Sequence, residues 1–298
     1  MEPIDAPLTQ PPISVAQNSE HCQRLLAAQS RLYTDAKHSH DVRILIIGVV
    51  AALTIAAALV FPEARQILGG IGGGATFVAS LWASRREKQR RRVAACVQEE
   101  FDTHVFKMSW NSIFADHPSP TVIAESARRY KGNRTRDWYP DTGQIARPLD
   151  VLICQRSNLG WGSSVHRFYA GCLTAVGAVT GMACLGIGLA AGFTIPEWLF
   201  AMVVPLLGPA RELIDMVRAH TESAETKTKA EAQVLELWRR GKQAGENVSI
   251  RDCREMQDRI LTIRQSNAHI PDWIDNIRRG RNEEAMQEAA RHMIDEAQ

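Results

Sequence analysis

The sequence predicts a mainly α-helical, polytopic membrane protein: four transmembrane helices in two hairpins and a helical cytoplasmic domain. Three observations carry that expectation. Two uncharged apolar runs, Ile44–Phe61 and Ile67–Ala83, lie only five residues apart. A third, Phe168–Gly192, extends for 25 residues without a charge. The polar remainder repeats at helical spacing, and no strand pattern stands out.

The first two runs hold 18 and 17 residues, about 25–27 Å as helices against a hydrocarbon core of about 30 Å. The competing reading, a buried hairpin in a soluble core, is the weaker one because soluble helices seldom run apolar all round for so long. The turn between them holds Pro62, Glu63 and Arg65. The exit is basic, with Arg85, Arg86, Lys88, Arg90, Arg91 and Arg92 in one short stretch. That cluster suits anionic headgroups; a nucleic-acid patch is the second reading.

The net charge of +2 hides this asymmetry. Lys and Arg accumulate in the N-terminal segment, the centre and the tail, and are sparse in the hairpin turns. The positive-inside rule then sets both termini in the cytoplasm. No cleavage-site pattern follows the first apolar run, so no secretory signal peptide is expected. Six cysteines show no short ligand spacing, which favours reduced thiols over a disulfide framework or a zinc site.

Taken in order, residues 1–17 are proline-rich and read as a disordered lead. Residues 18–43 form a cytoplasmic helix, with Leu25, Leu26, Gln29, Leu32 and Tyr33 at helical spacing. Residues 44–83 are the first transmembrane hairpin. Its second arm opens with Gly69, Gly70, Gly72, Gly73 and Gly74, which serve either close helix packing or a hinge or pore constriction. Residues 84–167 are a cytoplasmic helical region. Val93, Val97, Phe101 and Val105 recur every four residues there, and Thr121 opens a short helix ending at Tyr130. Residues 168–211 form the second hairpin. Its first arm carries Gly177-x-x-x-Gly181 and Gly188-x-x-x-Gly192. Its second arm has only 13 uncharged residues, Trp198–Ala210, interrupted by Pro205, Gly208 and Pro209. This is either a short helix in a thinned bilayer or an element lining an aqueous path. Residues 212–298 are C-terminal helices, with Ser249 and Asp252 as a capping box.

No catalytic motif is present, and no enzyme activity, cofactor or metal is expected. A GxGxxG-like spacing in GGIGGG has no strand before it. His38 and His40 lack carboxylate company. The membrane runs hold no central ionisable group, which argues against an ion-coupled transporter but not against a passive pore. Thr54, Thr76, Ser80, Thr174 and Thr180 are candidate lining groups or simple interhelical hydrogen bonders; Pro205, Gly208 and Glu212 join Thr76 and Ser80 as pore-lining candidates. Arg128, Arg129, Lys131, Arg134 and Arg136 alternate with Tyr130, Trp138 and Tyr139. That is either a solvated loop or a nucleotide-binding surface of cations and stacking rings.

Five stretches, QSRLYTDAK (Gln29–Lys37), FDTHVFKMSWN (Phe101–Asn111), DWY (Asp137–Tyr139), CQRSNLGW (Cys154–Trp161) and PLLGPARELI (Pro205–Ile214), resemble the SMODS-associated four-transmembrane effectors. The resemblance runs from about Gln17 to Asn276, and CQRSNLGW is its most specific piece. After Trp161 the family leads one to expect an acidic residue, where this chain has Gly162 and Ser163. The resemblance implies a bacterial inner-membrane effector of anti-phage defence. Such a protein senses a cyclic oligonucleotide in the cytoplasm, forms a homo-oligomer and permeabilises the lipid bilayer; long nucleic acid is not an expected partner. The sensing or gating region is then expected at Arg128, Arg129, Asp137, Trp138, Tyr139, Gln155, Arg156, Asn158 and Trp161. The alternatives are a non-conducting membrane scaffold recruiting a partner through its C-terminal helices, and a membrane enzyme with an unrecognised site.

Overall fold

The computed structural model describes residues 11–82, 84–160, 162–243 and 247–297. Among these, every regular element is helical. A single turn, α1 (Ile13–Ala16), starts on Pro12. The 41-residue α2 (Glu20–Val60) follows, capped by the Ser19 hydroxyl accepting from the Cys22 amide at 3.4 Å. It is followed by α3 (Arg65–Trp82), α4 (Ser84–Phe106) and α5 (Pro120–Arg129). Then come α6 (Leu149–Gly160), α7 (Ser163–Ala190) and the single turn α8 (Ile195–Trp198). The 39-residue α9 (Val204–Lys242), α10 (Ile250–Ser266) and α11 (Asp272–Ala297) complete the chain.

The disordered lead expected over 1–17 is corrected for its described part. Ile13 is fully buried, and the Gln17 side chain exchanges hydrogen bonds with the Tyr139 backbone at 2.7 and 3.2 Å. Proline content misleads here because Pro12 sets an extended entry (ψ 149°) into a helical turn rather than a loose tail. Residues 1–10 lie outside the described residues.

One half of the molecule is a helical bundle with its own core. Its core joins Leu25 and Leu26 of α2, Val97, Phe101 and Val105 of α4, and Val151–Cys154 of α6. Val234 and Trp238 of α9 and Ile260 of α10 complete it. The fourfold repeat read in α4 is the reason: Val97, Phe101 and Val105 are all fully buried. Complete burial of each such side chain stabilises by about 1.5–3 kcal/mol. Ser249 and Asp252 form the expected capping box of α10.

The other half is built from the apolar runs. Stretches within Glu20–Val60 and Leu149–Ala190 are long and apolar enough to cross a membrane. Only 22% and 11% of those apolar windows are buried, so their side chains face outward, unlike a soluble core. Leu45, Leu53, Ile71, Val179, Met182 and Leu189 are all exposed.

The glycine run explains how this half closes. A Cβ added to Gly69 would lie 1.9 Å from the Phe200 carbonyl oxygen, and one on Gly73 2.4 Å from that of Val204. A Cβ on Gly208 would meet Thr76 at 2.7 Å. Arg65 pairs with Glu197 at 3.0 Å, and Arg211 with the Ser80 hydroxyl at 3.0 Å. These five contacts share an offset of 131 or 132 in residue number, so α3 and the stretch 197–211, the fourth element of the apolar half, run parallel and in register. A π turn at Leu199–Val203 precedes Pro205 and loosens the backbone where proline withholds its N–H. The small-xxx-small pairs of α7 do not act as pairs. Gly177 packs on Leu213 and Gly188 on Trp198, whereas Gly181 and Gly192 face open space.

Candidate functional site

A cavity of about 790 Å³ opens in the bundle, between α2, α4, the 130–140 loop, α6, the start of α7, α9 and the 264–270 segment. That volume lies within the range of small-ligand sites, about 300–1,000 Å³. Its walls follow from helical phase. Gln29, Tyr33 and Lys37 line it from one face of α2 at spacings of four, and Arg91 and Gln98 from one face of α4 at a spacing of seven. Tyr33 donates to Gln98 at 3.3 Å.

The 137–139 turn enters on a clamp. Asp137 takes a left-handed backbone (φ 49°), held by its amide donating to Asn18 Oδ1 at 3.0 Å and its carboxylate accepting from Asn18 Nδ2 at 2.8 Å. This presents Trp138 to the cavity and stacks Tyr139 on Phe101, 5.9 Å between ring centres. The Tyr139 hydroxyl donates to the fully buried Asp102 at 2.5 Å and accepts from Asn158 at 2.7 Å. Asp102 also pairs with Arg264 of α10, which fixes that guanidinium in the wall.

Cations outnumber carboxylates on the wall itself, although Asp102, Glu87 and Asp272 behind it pair with Arg264, Arg91 and Lys37. Lys37, Arg91, Arg134, Lys227 and Arg264 face only Asp137 and Glu283 among the lining residues. At the floor, His166 and His220 share a 2.8 Å Nδ1–Nδ1 hydrogen bond, and Lys227 Nζ lies 3.5 Å from His166 Nε2. Burial, then the Lys227 and His220 charges, push His166 down to about 2. Burial and the charges of His40 and Lys227 lower His220 to about 4. Burial and Arg264 bring Lys227 to about 8, and burial with Arg91 brings His269 to about 3. In each case burial is the larger cause and the neighbouring cations add to it. Gln29 Oε1, Arg264 Nη2 and His269 Nε2 are buried without a hydrogen-bond partner among the described residues. Cations, stacking rings and unpaired polar atoms suit a polyanionic aromatic ligand.

The structure brings together Tyr130, Arg134, Asp137, Trp138, Tyr139 and Asn158 of the residues singled out in the sequence. The others lie elsewhere. Arg128 and Arg129 sit on the exposed face of α5, with Arg129 pairing to Asp35 at 3.0 Å. Gln155 is fully buried and ties α6 to α10 through the Cys253 carbonyl at 2.7 Å. Arg156 pairs with Glu231 at 3.0 Å. Trp161 lies outside the described residues. Lys227, Arg264, His166 and His269 were missed. For Lys227 a signal existed: His220 and Lys227, seven residues apart on α9, fall on one helix face and are both buried.

Of the five pore-lining candidates, Thr76, Ser80 and Gly208 lie at the seam between α3 and α9. Thr76 and Ser80 are 1% exposed and hydrogen-bond to the carbonyls of Gly73 and Phe77. Pro205 and Gly208 are buried, and Glu212 is held by Arg43. Within one chain these groups seal a helix contact. No cluster of three or more potential metal ligands occurs among the described residues.

Comparison with known proteins agrees with the early resemblance. The profile of the SMODS-associating 4TM effector domain matches residues 11–293. A probable CBASS effector molecule of Bacillus cereus (strain VD146) is 26% identical over 283 residues, covering 91% of this chain and 94% of the relative. No solved structure matches. With a family match over nearly its whole length and outward-facing apolar helices, this membrane protein belongs to the SMODS-associating 4TM effector family.

Proposed function

We propose that this chain is an inner-membrane effector of bacterial anti-phage defence, in which a cyclic oligonucleotide entering the cationic cavity causes the protein to oligomerise and permeabilise the membrane. The carrying observation is that the cavity walls belong to helices that continue into the apolar half. Tyr33 and Lys37 lie on the same α2 that runs to Val60, and Lys227 on the α9 that begins at Val204. The family and the CBASS effector relative support the defence role.

Four spans in two hairpins fit the fold best. α3 and the fourth element return beside the two long apolar stretches, and Arg65–Glu197 ties the two turns together. Basic residues crowd the opposite end, which supports cytoplasmic termini. The outward apolar faces and the sealed α3–α9 seam favour a conduit made between several chains over one within a single chain.

The test is dye release from liposomes holding the full-length protein, with and without a panel of cyclic di- and trinucleotides. Release with one of them is expected. Ligand binding without release from correctly inserted protein would overturn the permeabilising role and favour a non-conducting scaffold.

A further inference from the structure

Glu87 of α4 stands behind the cavity wall and touches two of its lining residues. Its Oε1 faces Arg91 at 3.7 Å and His269 Nε2 at 3.8 Å, both beyond hydrogen-bond length. Its Oε2 accepts from Arg43 at 3.1 Å and from His40 at 3.2 Å. Arg43, only 9% exposed, extends its other terminal nitrogen to Glu212 of α9, at the edge of the apolar half. One side of this carboxylate is loosely held and cavity-facing; the other is firmly bonded and leads towards α9.

We propose that a phosphate group of the cavity ligand binds Arg91 and His269 in exchange for Glu87, and that the ion-pair chain Glu87–Arg43–Glu212 carries this exchange to the membrane end of α9. Three observations support the subsite. Arg91 and His269 both line the cavity. The His269 side chain is 7% exposed, and its Nε2 has no hydrogen-bond partner. Their contacts to Glu87 are long enough that a phosphate oxygen at about 2.8 Å would be the better partner.

The direction of the relay follows from charge. A phosphate that takes Arg91 leaves Glu87 with Arg43 as its principal cation. Arg43 is then drawn from Glu212 towards Glu87, which weakens this ion-pair link between α2 and α9 and leaves Glu212 to Arg211 at 3.7 Å. The ligand shifts the equilibrium because it changes how one cation is shared between two carboxylates.

The inference rests on the proposed anionic ligand, and its test separates the two. The full-length protein in detergent is titrated with inorganic triphosphate, cyclic di-AMP, cyclic GMP–AMP and cyclic tri-AMP. Glu87→Gln should bind phosphate probes about tenfold tighter than wild type and Arg91→Gln about tenfold weaker. Equal affinities in all three proteins, whichever probe binds, would overturn the subsite. Triphosphate binding with these shifts, and no cyclic nucleotide binding, would keep the subsite and overturn the cyclic-nucleotide reading.

Hydrogen exchange over residues 206–216 reads the relay. Ligand should speed exchange in wild type and leave Glu87→Gln unchanged. Glu212→Gln should exchange fast without ligand, and Glu212→Asp, which keeps the charge, should restore protection. Ligand-bound wild type exchanging like the free protein would overturn the relay.

Discussion

The parallel contact of α3 with the fourth element makes a sharp prediction from two neighbouring glycines. An alanine methyl at Gly69 would stand 1.9 Å from the Phe200 carbonyl oxygen, whereas one at Gly70 meets nothing within 4 Å. The obstacle at Gly69 is backbone, so no rotamer change relieves it. Restoring an ordinary contact of about 3.4 Å pushes the helices apart by about 1.5 Å, at an overpacking cost of about 1–3 kcal/mol. Both substitutions gain the same helix propensity, about 1 kcal/mol in water, so that gain cancels between them. Gly69→Ala should therefore be about 1–3 kcal/mol less stable than Gly70→Ala. At about 2–4 °C per kcal/mol this is a gap of about 2–12 °C in a thermal melt of the detergent-solubilised protein. Melting points within 1 °C of each other would refute the packed seam.

Other predictions follow from the cavity. His166, His220 and His269 are held below their ordinary value by burial, to about 2, 4 and 3. The unfolded chain therefore binds more protons below about pH 6.5, so stability present at neutral pH is lost as pH falls towards 5, by up to about 2 kcal/mol for each histidine. Melts between pH 7.5 and 5 check this, and His269→Gln should flatten the profile. Tyr139→Phe removes a donor from Asp102 and an acceptor from Asn158, and should cost about 1–3 kcal/mol in chemical unfolding. Lys227→Gln should weaken nucleotide binding about tenfold, equivalent to about 1.4 kcal/mol, while Arg156→Ala, whose partner is Glu231, should leave affinity within about twofold in the same calorimetric titration.

The helical membrane class was legible because outward-facing apolar helices write themselves as long uncharged runs, and Ile44–Phe61 needs no context to be read. The Gly69–Gly74 run was legible as packing or hinge but not resolvable, since the backbone it meets lies about 131 residues away. The DWY stretch drew notice for its aromatic and charge content. Its clamp on Gln17 and Asn18 was hidden inside a segment that proline content marked as loose. Arg156 misled for the reason Lys227 was missed: charge type is visible in a sequence, but a distant carboxylate that neutralises one cation, or a helix that turns another inward, is not.

α2 has no joint between its bundle-facing and apolar parts: Gln29, Tyr33 and Lys37 share one uninterrupted helix with Ala51 and Ala58. Its two ends therefore keep a fixed angular phase. Inserting one residue near Val42 would turn everything beyond it by about 100° and carry the apolar face off its partners. Sensor and membrane segments of different relatives could then be exchanged across α2 only when joined in register, because this helix offers no linker at which to cut.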